Sequence, residues 1–434
     1  YFYFMKLPRG KLYIDLLTLI KCLFKILLNL GLSRGKKTLE FENTFCKYWN
    51  RNKCITTSTC RLSLYYVLKS LNLKEGDEVL LTPIQIPDFI NVILNLKLKP
   101  VFIDINKETE SVDLKDLESK INKKSRVLLA TYLTGLVPDI KKISTICDEN
   151  SIFLIEDISH SYGSFFDGKK AGSFGFAAIG SLSPGKIISS IGGGFVLIDD
   201  YNKATLIEED IKNSIKNKSR KTLLKVCLFQ LKVSLLTSKF IFNYFTYYIF
   251  LFLSKFYRQK FDEIHNPKFK YFVKDKTIYD NPPVKRELPN ELFFEFTDLQ
   301  AEVALKTFKK NLKNGLEDRQ RMAKILYENL NSNAKKFVPK LVEKFDLNAF
   351  WHFPIIVNDK DFKSFQRHLL KDGYDVVGYA MKLCNEEKEF EEFKKEPLDY
   401  SKKLHKNSLF LPMFNGLQKK DMLNVANSVN KFFN

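Results

Sequence analysis

Residues 152–186 read "IFLIEDISHSYGSFFDGKKAGSFGFAAIGSLSPGK" and contain two short apolar runs. The first, 152–157, ends at Asp157, and the second, 177–183, leads into a turn that carries Lys186. Short β-rich runs of this kind, separated by helical stretches, are typical of an α/β unit with a parallel sheet. Ligands of such sheets bind beyond the carboxyl ends of the strands. The residues that follow these two runs are therefore the first place to look for chemistry.

The same alternation continues on both sides of this stretch. Further strands are predicted at 78–82, 100–105, 126–133 and 194–199, and helices at 87–96, 114–121 and 138–149. Near the C-terminus, "FWHFPIIV" is predicted to be a strand, followed by a helix, a strand and a terminal helix. The fold class is therefore predicted to be α/β, with a mixed, mostly parallel sheet and a small α+β domain at the C-terminus.

Length and charge suggest several parts. A chain of 434 residues suits two or three packed units rather than one simple core. We predict the following parts: a basic amphipathic segment at 1–38, a large domain at 39–204, an apolar basic insertion at 205–285, linking helices at 286–330 and a small domain at 331–434. The seven cysteines are odd in number and scattered, which favours a reduced, cytosolic chain. The five histidines form no pair or cluster at ligand spacing, so no metal site is expected.

The net charge of +20 is confined to two segments. Residues 1–38 carry +7 and residues 211–261 carry +11, which leaves only +2 for the rest of the chain. Both segments are also unusually apolar, whereas a nucleic-acid site needs a basic face that is polar and exposed to solvent. Nucleic acid is therefore not the expected partner.

These two segments are predicted to be helices that lie at a membrane surface. The longest uncharged run, 240–254, has 15 residues and is shorter than the roughly 20 needed to span a bilayer. Apolar helices with lysines at their edges and many aromatic residues suit the membrane interface. The alternative is that both segments are buried against the protein body or a partner subunit.

Two residues near the strand ends carry reactive groups. Asp157 ends the first run and Lys186 lies five residues after Ser181, with His160 between the two runs. Each residue alone also has an ordinary role, Asp157 as a helix N-cap and Lys186 as a solvated loop lysine. Together, however, an amine, a carboxylate and a hydroxyl are what pyridoxal phosphate (PLP) requires.

A phosphate group also needs free backbone N–H groups. The stretch "TTSTCRLSLYY", residues 56–66, predicts a helix that begins at Thr59, Cys60 and Arg61. The N-terminus of a helix binds anions, because its first N–H groups are unpaired and the helix dipole is positive there. The sequence thus offers all the parts of a PLP site.

With these motifs in order, the sequence resembles the DegT/DnrJ/StrS family of sugar aminotransferases. The resemblance covers the chain from about residue 40, apart from the insertion. It is carried by "LNLKEGDEVLLTP", "KPVFIDINKETESVDLKDLESKI", "ATYLTGLVPDI", "FLIEDISHSYGSFFDGKKAGSFG", "GSLSPGKIISSIGGGFVLIDD", "FTDLQAEVAL" and "LFLPMFNGLQKKDM". It implies a PLP-dependent enzyme of fold type I, usually a homodimer with sites at the subunit interface.

The resemblance also implies roles for single residues. Lys186 matches the lysine that forms the Schiff base, Asp157 the partner of the pyridinium nitrogen, and Ser181 a phosphate ligand. His160 falls where the family has Gln or His near the 3-hydroxyl of the cofactor. At the helix start, Thr59 and Cys60 match a Ser-Gly phosphate turn, and Arg61 stands where many members have Thr.

The sequence departs from the family pattern in two further places. The segment "TPIQIPDF" lacks the aromatic residue that the family stacks on the cofactor, which leaves Ile86, Phe89 or His160 as substitutes. Where the family supplies an Asn-aromatic-Arg segment to the neighbouring subunit's phosphate site, this chain reads Phe293-Phe294-Glu295. That contact between subunits is expected to be lost.

The predicted function is transfer of an amino group from glutamate to a nucleotide-linked keto sugar, for surface polysaccharide or glycolipid biosynthesis. The expected location is the cytoplasm, with attachment to the cytoplasmic membrane face. Two alternatives remain open. One is a PLP-dependent sugar dehydratase, in whose best-known members a His replaces the lysine. The other is a non-catalytic, membrane-attached relative with a binding or regulatory role.

Overall fold

The computed structural model describes residues 5–216, 219–265, 288–394 and 396–434. Its α-helices are α1 Leu16–Leu27, α2 Lys36–Trp49, α3 Cys60–Ser70, α4 Pro87–Asn95, α5 Leu114–Lys120, α6 Ile140–Glu149, α7 Tyr201–Ser214, α8 Arg220–Leu236, α9 Lys239–Ile241, α10 Tyr247–Phe256, α11 Arg258–His265, α12 Asp298–Thr307, α13 Leu316–Glu328, α14 Ser332–Lys335, α15 Asp359–Lys371, α16 Asp399–Asn407 and α17 Lys419–Phe433. Turns of π-helix follow α9 at Phe242–Thr246 and α12 at Phe308–Lys313.

Seven strands form the central sheet. They are β1 Lys53–Thr57, β2 Glu78–Leu81, β3 Lys99–Phe102, β4 Ser125–Thr131, β5 Phe153–Asp157, β6 Ala177–Ser181 and β7 Gly194–Ile198. Their spatial order is β1-β7-β6-β5-β4-β2-β3. All neighbouring pairs are parallel except those that β7 makes with β1 and β6. The predicted mixed, mostly parallel sheet is confirmed, with β1 as a strand that the sequence analysis did not predict.

Helices cover both faces of the sheet. Successive side chains of a strand point to opposite faces, so Leu154 of β5 packs in the cluster with α2 and α6, and Ile155 in the cluster with α3 and α4. Strands that are buried on both faces read as continuous apolar runs, which is why most of them could be found in the sequence. Because β5 and β6 are parallel, Asp157 and Ser181 lie at the same edge of the sheet.

The C-terminal part has its own sheet and core. Strands β8 Phe353–Ile356 and β9 Ser408–Leu411 pair antiparallel and pack with α13, α15 and α17. The two-residue strands Ile84–Gln85 and Lys382–Leu383 pair antiparallel with each other, and so join this part to the segment that follows β2. The predicted strand "FWHFPIIV" begins later than expected, at Phe353. The reason is local: Phe350 adopts a left-handed φ of 49°, which is incompatible with an extended strand.

Both basic apolar segments form helices that pack on the protein body. In α1 and α8, Leu19, Cys22 and Cys227 share one buried cluster. The Arg220 guanidinium donates to the carbonyl oxygen of Leu27 at 2.9 Å and so caps the C-terminal end of α1. Among the helices of the described ranges, none has the length and hydropathy needed to cross a bilayer. Part of the predicted insertion, 217–218 and 266–285, lies outside the described residues.

Candidate active site

The N-terminus of α3 opens beside the start of β7. Thr59 is the N-cap residue, and its hydroxyl accepts a hydrogen bond from the Leu62 N–H at 3.3 Å. A backbone bridge joins Thr59 to Gly193. A Cβ on Gly194 would lie 2.5 Å from the Cys60 nitrogen, so only glycine allows this approach. The glycines after Lys186 therefore bring the backbone close to the helix end.

The other two residues of the helix start are engaged within the protein. Arg61 forms an ion pair with Asp88 of α4. The Cys60 sulfur lies 3.7 Å from the Ser159 hydroxyl, and burial raises the pKa of the Cys60 thiol well above its usual value. Cys60 is therefore a neutral thiol. What this turn offers an anion is the backbone N–H groups of the first helical turn.

Asp157 and Ser181 are joined through Ser159. The Asp157 carboxylate accepts a hydrogen bond from the Ser159 N–H at 3.0 Å, and the Ser159 hydroxyl accepts one from the Ser181 N–H at 3.0 Å. No helix follows Asp157 directly, so the N-cap alternative does not apply. Burial raises the pKa of Asp157, while Ser159 and the positive charge of Lys186 act against that rise.

Lys186 lies in the turn between β6 and β7. Burial lowers the pKa of Lys186 from its usual 10.5 to about 8, and the negative charge of Asp157 limits the fall. The Lys186 Nζ lies 4.2 Å from the centre of the Trp351 ring, whose Nε1 donates to the Gly185 carbonyl at 2.8 Å. The amine is therefore partly neutral near pH 8 and is positioned beside an aromatic ring.

Two histidines complete the surroundings of Lys186. The His160 ring stacks on Trp351, with the ring centres 3.8 Å apart. Burial lowers the pKa of His160 well below its usual value, and burial lowers the pKa of His352 to about 3. Both rings are neutral, and the buried Nδ1 of His160 has no hydrogen-bond partner among the described residues. A bound group with a polar atom at this position would satisfy it.

Trp351, whose ring lies beside the Lys186 amine, is an aromatic residue that the sequence analysis did not consider. Phe89 belongs to the core beneath α3 and α4, and Ile86 is the N-cap residue of α4. His160 does stack, but its partner is Trp351 from the C-terminal part. The only signal in the sequence was the aromatic run "FWHF", residues 350–353, and no local motif marks it as part of a site.

The segment Phe293-Phe294-Glu295 contributes to packing. Phe293 and Phe294 are buried in two different core clusters, and the Glu295 carboxylate accepts a hydrogen bond from the Arg34 N–H at 3.0 Å. Phe294 also lines the cleft near the α3 N-terminus, together with residues of α8. These are Thr222 and Val226, which lie next to Ser58, Thr59, Gly192 and Gly193. The predicted insertion thus reaches the site.

The donor set fits PLP. The strand ends and turns place an amine, a carboxylate and a hydroxyl at one edge of the sheet, in Lys186, Asp157 and Ser181. The helix start supplies N–H groups for a phosphate, and the unpaired His160 Nδ1 provides a further polar contact. These are the groups that the cofactor requires.

Glu110 is a buried carboxyl that the sequence analysis missed. It lies in the polar run "NKETES", yet its side chain is only 1% exposed. No Lys, Arg or His within the described ranges forms an ion pair with it. Burial therefore raises the pKa of Glu110 to about 8, and the nearby Thr134 hydroxyl only partly offsets this.

Glu110→Gln should remove a pH dependence of stability. In the unfolded chain Glu110 loses its proton near pH 4.5, whereas the folded protein keeps it until about pH 8. The contribution of this carboxyl to the free energy of unfolding is therefore complete below pH 4.5. Between pH 4.5 and about pH 8 it falls by about 1.4 kcal/mol per pH unit. We expect the variant to melt higher than the parent at pH 8.5 and close to it at pH 5. The measurement is the melting temperature at several pH values.

The matched control for this prediction is Glu108→Gln. Glu108 lies two residues away, and its side chain is 54% exposed. This substitution should leave the difference between the melting temperatures at pH 5 and pH 8.5 as it is in the parent. If the Glu110→Gln protein kept the parent's pH dependence of the melting temperature, the Glu110 carboxyl would not be the cause of that dependence.

The family model for "DegT/DnrJ/EryC1/StrS aminotransferase family" matches residues 20–235 and 292–430. A GDP-perosamine synthase of Vibrio cholerae is 33% identical over 165 residues, which is 38% of this chain and 45% of that protein. An uncharacterized protein of Methanocaldococcus jannaschii is 32% identical over 177 residues, 41% of this chain and 46% of that one. These alignments span just under half the length of the curated relatives.

Solved structures match over nearly the whole chain. Helicobacter pylori PseC, an aminotransferase of pseudaminic acid biosynthesis, has a TM-score of 0.68 at 19% identity and 96% coverage of both chains. DesI, solved with its TDP-sugar product, has a TM-score of 0.69 at 18% identity, with 99% of this chain and 93% of that chain covered. NtdA from Bacillus subtilis, solved with bound PMP, has a TM-score of 0.67 at 18% identity, with 99% of this chain and 86% of that chain covered. At these identities the matches establish the fold, and the predicted fold class is confirmed.

Proposed function

The chain belongs to the DegT/DnrJ/EryC1/StrS aminotransferase family, and on that premise we propose that it is a PLP-dependent sugar aminotransferase. The observation that carries the proposal is the pairing of Lys186, whose pKa is lowered to about 8, with Asp157 at the carboxyl edge of the sheet. A structural lysine on a surface loop would keep its usual pKa. The predicted cofactor agrees with the family.

Lys186 would both hold the cofactor and move a proton. With a pKa of about 8, roughly half of the free amine is neutral at pH 8, against well under 1% for an ordinary lysine. A neutral amine accepts a proton from the α-carbon of a substrate and returns it to a neighbouring atom. When bound, PLP supplies an electron sink that stabilises the negative charge left behind.

The other residues would bind and orient. Asp157 would keep the pyridine nitrogen protonated, since a carboxylate favours a positive charge beside it. Ser181 and the first N–H groups of α3, at Thr59, Cys60 and Arg61, would bind the phosphate. His160 would form a hydrogen bond through its unpaired Nδ1 with a substituent on the ring of the cofactor. The Trp351 ring would shield the amine of Lys186 from water.

We infer that glutamate donates the amino group to a nucleotide-linked keto sugar, in a pathway to a surface polysaccharide or glycolipid. Support comes from the relatives: one is named a GDP-perosamine synthase, and DesI was solved with a TDP-sugar product. We propose a homodimer and a cytoplasmic location, on the membrane face, from the family resemblance and the two basic apolar segments.

The test starts from purified protein incubated with PLP and freed of excess cofactor. The enzyme should be yellow, glutamate alone should bleach it, and one member of a panel of GDP-, TDP- and UDP-linked keto sugars should restore the colour. Protein that stays colourless would support the non-catalytic alternative and overturn the proposal. Sugar turnover without consumption of glutamate would indicate the dehydratase instead.

A further inference from the structure

Helix α1 is apolar on two opposite sides. One side carries Leu19 and Cys22, which are buried against α8 and α12. The other side carries Leu17, Ile20 and Phe24, spaced three and four residues apart, so that they share a face. Leu17 is 60% and Phe24 61% exposed. A helix that only covers a protein core shows polar residues on its outer side, so this outer face requires another explanation.

A second exposed apolar stripe follows from α9 to α10. Phe240, Phe245, Phe252 and Phe256 are each more than half exposed, with Phe240 at 66%. The opposite side of the same helices, with Phe242, is buried against the C-terminal part. The burial of one side fixes the helices on the body and leaves the aromatic side outward. Large exposed apolar patches of this kind mark interaction surfaces.

Helix α8 contacts the helical segments that carry the two stripes. The Cys227 sulfur of α8 lies 3.4 Å from the Leu19 carbonyl of α1. The Thr246 hydroxyl donates to the Leu236 carbonyl at the end of α8, at 2.9 Å. Helix α8 thus connects α1 to the aromatic stripe. We call the exposed apolar residues of α1 and of 240–257 the apolar patch.

The surroundings of the apolar patch are strongly positive. Residues 211–261 carry no acid, and residues 1–38 carry only Asp15. Asp15 does not offset the charge of the patch, because it caps α1 and pairs with Lys306 at 3.0 Å. Exposed lysines, among them Lys239 and Lys255, lie within the aromatic segment itself. The patch therefore combines apolar insertion with attraction for anions.

We propose that the apolar patch docks on the surface of an anionic lipid bilayer, with its helices lying in the interface. No helix within the described residues is long and apolar enough to cross a bilayer. A second copy of the chain is disfavoured as the occupant, because two such surfaces would bring like charges together. Anionic headgroups complement the lysines, and the acyl boundary accepts the phenylalanines. This inference goes beyond the proposed reaction and does not depend on it.

The test is co-sedimentation of the full chain with lipid vesicles. The protein should bind vesicles of phosphatidylcholine with phosphatidylglycerol, bind pure phosphatidylcholine much less, and be released by high salt. Combined Phe240→Ser, Phe252→Ser and Phe256→Ser should weaken binding at least about tenfold. Combined Lys239→Gln and Lys255→Gln should weaken it by about fivefold for each charge removed.

The matched control replaces exposed apolar residues elsewhere. Leu39→Ser with Tyr201→Ser, at residues that are 52% and 58% exposed, should leave vesicle binding unchanged. Melting temperatures of all variants should match the parent, since the replaced side chains face solvent. The proposal is overturned if the parent stays in the supernatant with anionic vesicles, or if the Phe variant binds as the parent does. It is also overturned if that variant breaks up an oligomer, which would make the patch a subunit contact.

Discussion

Lys186→Ala should abolish transamination, with a fall in kcat of at least about a thousandfold. The reason is that no other group near the site can replace the amine. Burial lowers the pKa of His160, and that of His352 to about 3, so neither imidazole is an effective base. The variant should also take up PLP without the yellow colour. The measurements are single-turnover kinetics with glutamate and the absorption spectrum after gel filtration.

A second variant tests whether a positive charge at position 186 is enough, or whether a primary amine is required there. Lys186→Arg keeps a cation at this position, but a guanidinium does not deprotonate and forms no Schiff base, so it should be as inactive as the alanine variant. The control is Lys170→Ala, because Lys170 belongs to the hairpin of residues 165–170 and its amine contacts the Tyr48 ring of α2. An alanine variant at 186 that retained a tenth of the parent's turnover would contradict the assignment.

Much of the large domain could be predicted because its strands are buried on both faces. Runs such as 126–133 and 152–157 are largely apolar, and the helical pattern at 138–149 separates them. Strand β1, Lys53–Thr57, escaped prediction for a physical reason. It is a short edge strand that pairs only with β7, and its sequence "KCITT" lacks the apolar continuity of a central strand.

The site shows where sequence patterns stop being informative. Asp157, Ser181 and Lys186 lie close in the chain and follow recognisable strands, so they could be singled out together. Trp351 is separated from Lys186 by more than 160 residues, and only tertiary packing brings the ring to the amine. The burial of Glu110 was equally hidden, because a polar run predicts an exposed turn.

The two basic apolar segments were predicted with two alternatives, interface helices or burial. In the structure one side of these helices is buried on the protein body, and the opposite side is apolar and exposed. Leu19 of α1 packs on α8, whereas Phe24 faces outward. A sequence pattern gives the helical period but cannot say how many neighbours a helix has, and this is why both readings looked adequate.

Asp157→Asn should reduce kcat by about a hundredfold or more while leaving the fold intact. Asparagine keeps the shape of the side chain, and its carbonyl oxygen can still accept the hydrogen bond from the Ser159 N–H. What it loses is the charge. Without a carboxylate the pyridine nitrogen of bound PLP would not stay protonated, and the electron sink would weaken. The measurement is the rate of the half-reaction with glutamate, at saturating PLP.

The same variant makes a prediction about Lys186 that needs no cofactor. The negative charge of Asp157 favours the ammonium form, so its removal should lower the pKa of Lys186 further below about 8. In cofactor-free protein, the rate at which an amine reagent labels Lys186 should therefore reach its half-maximum at lower pH in the variant. Asp200→Asn is the matched control, because Asp200 follows β7 and caps α7, where its carboxylate accepts the Lys203 N–H. An unchanged labelling midpoint would mean that Asp157 does not act on the amine, and that a slow half-reaction has another cause.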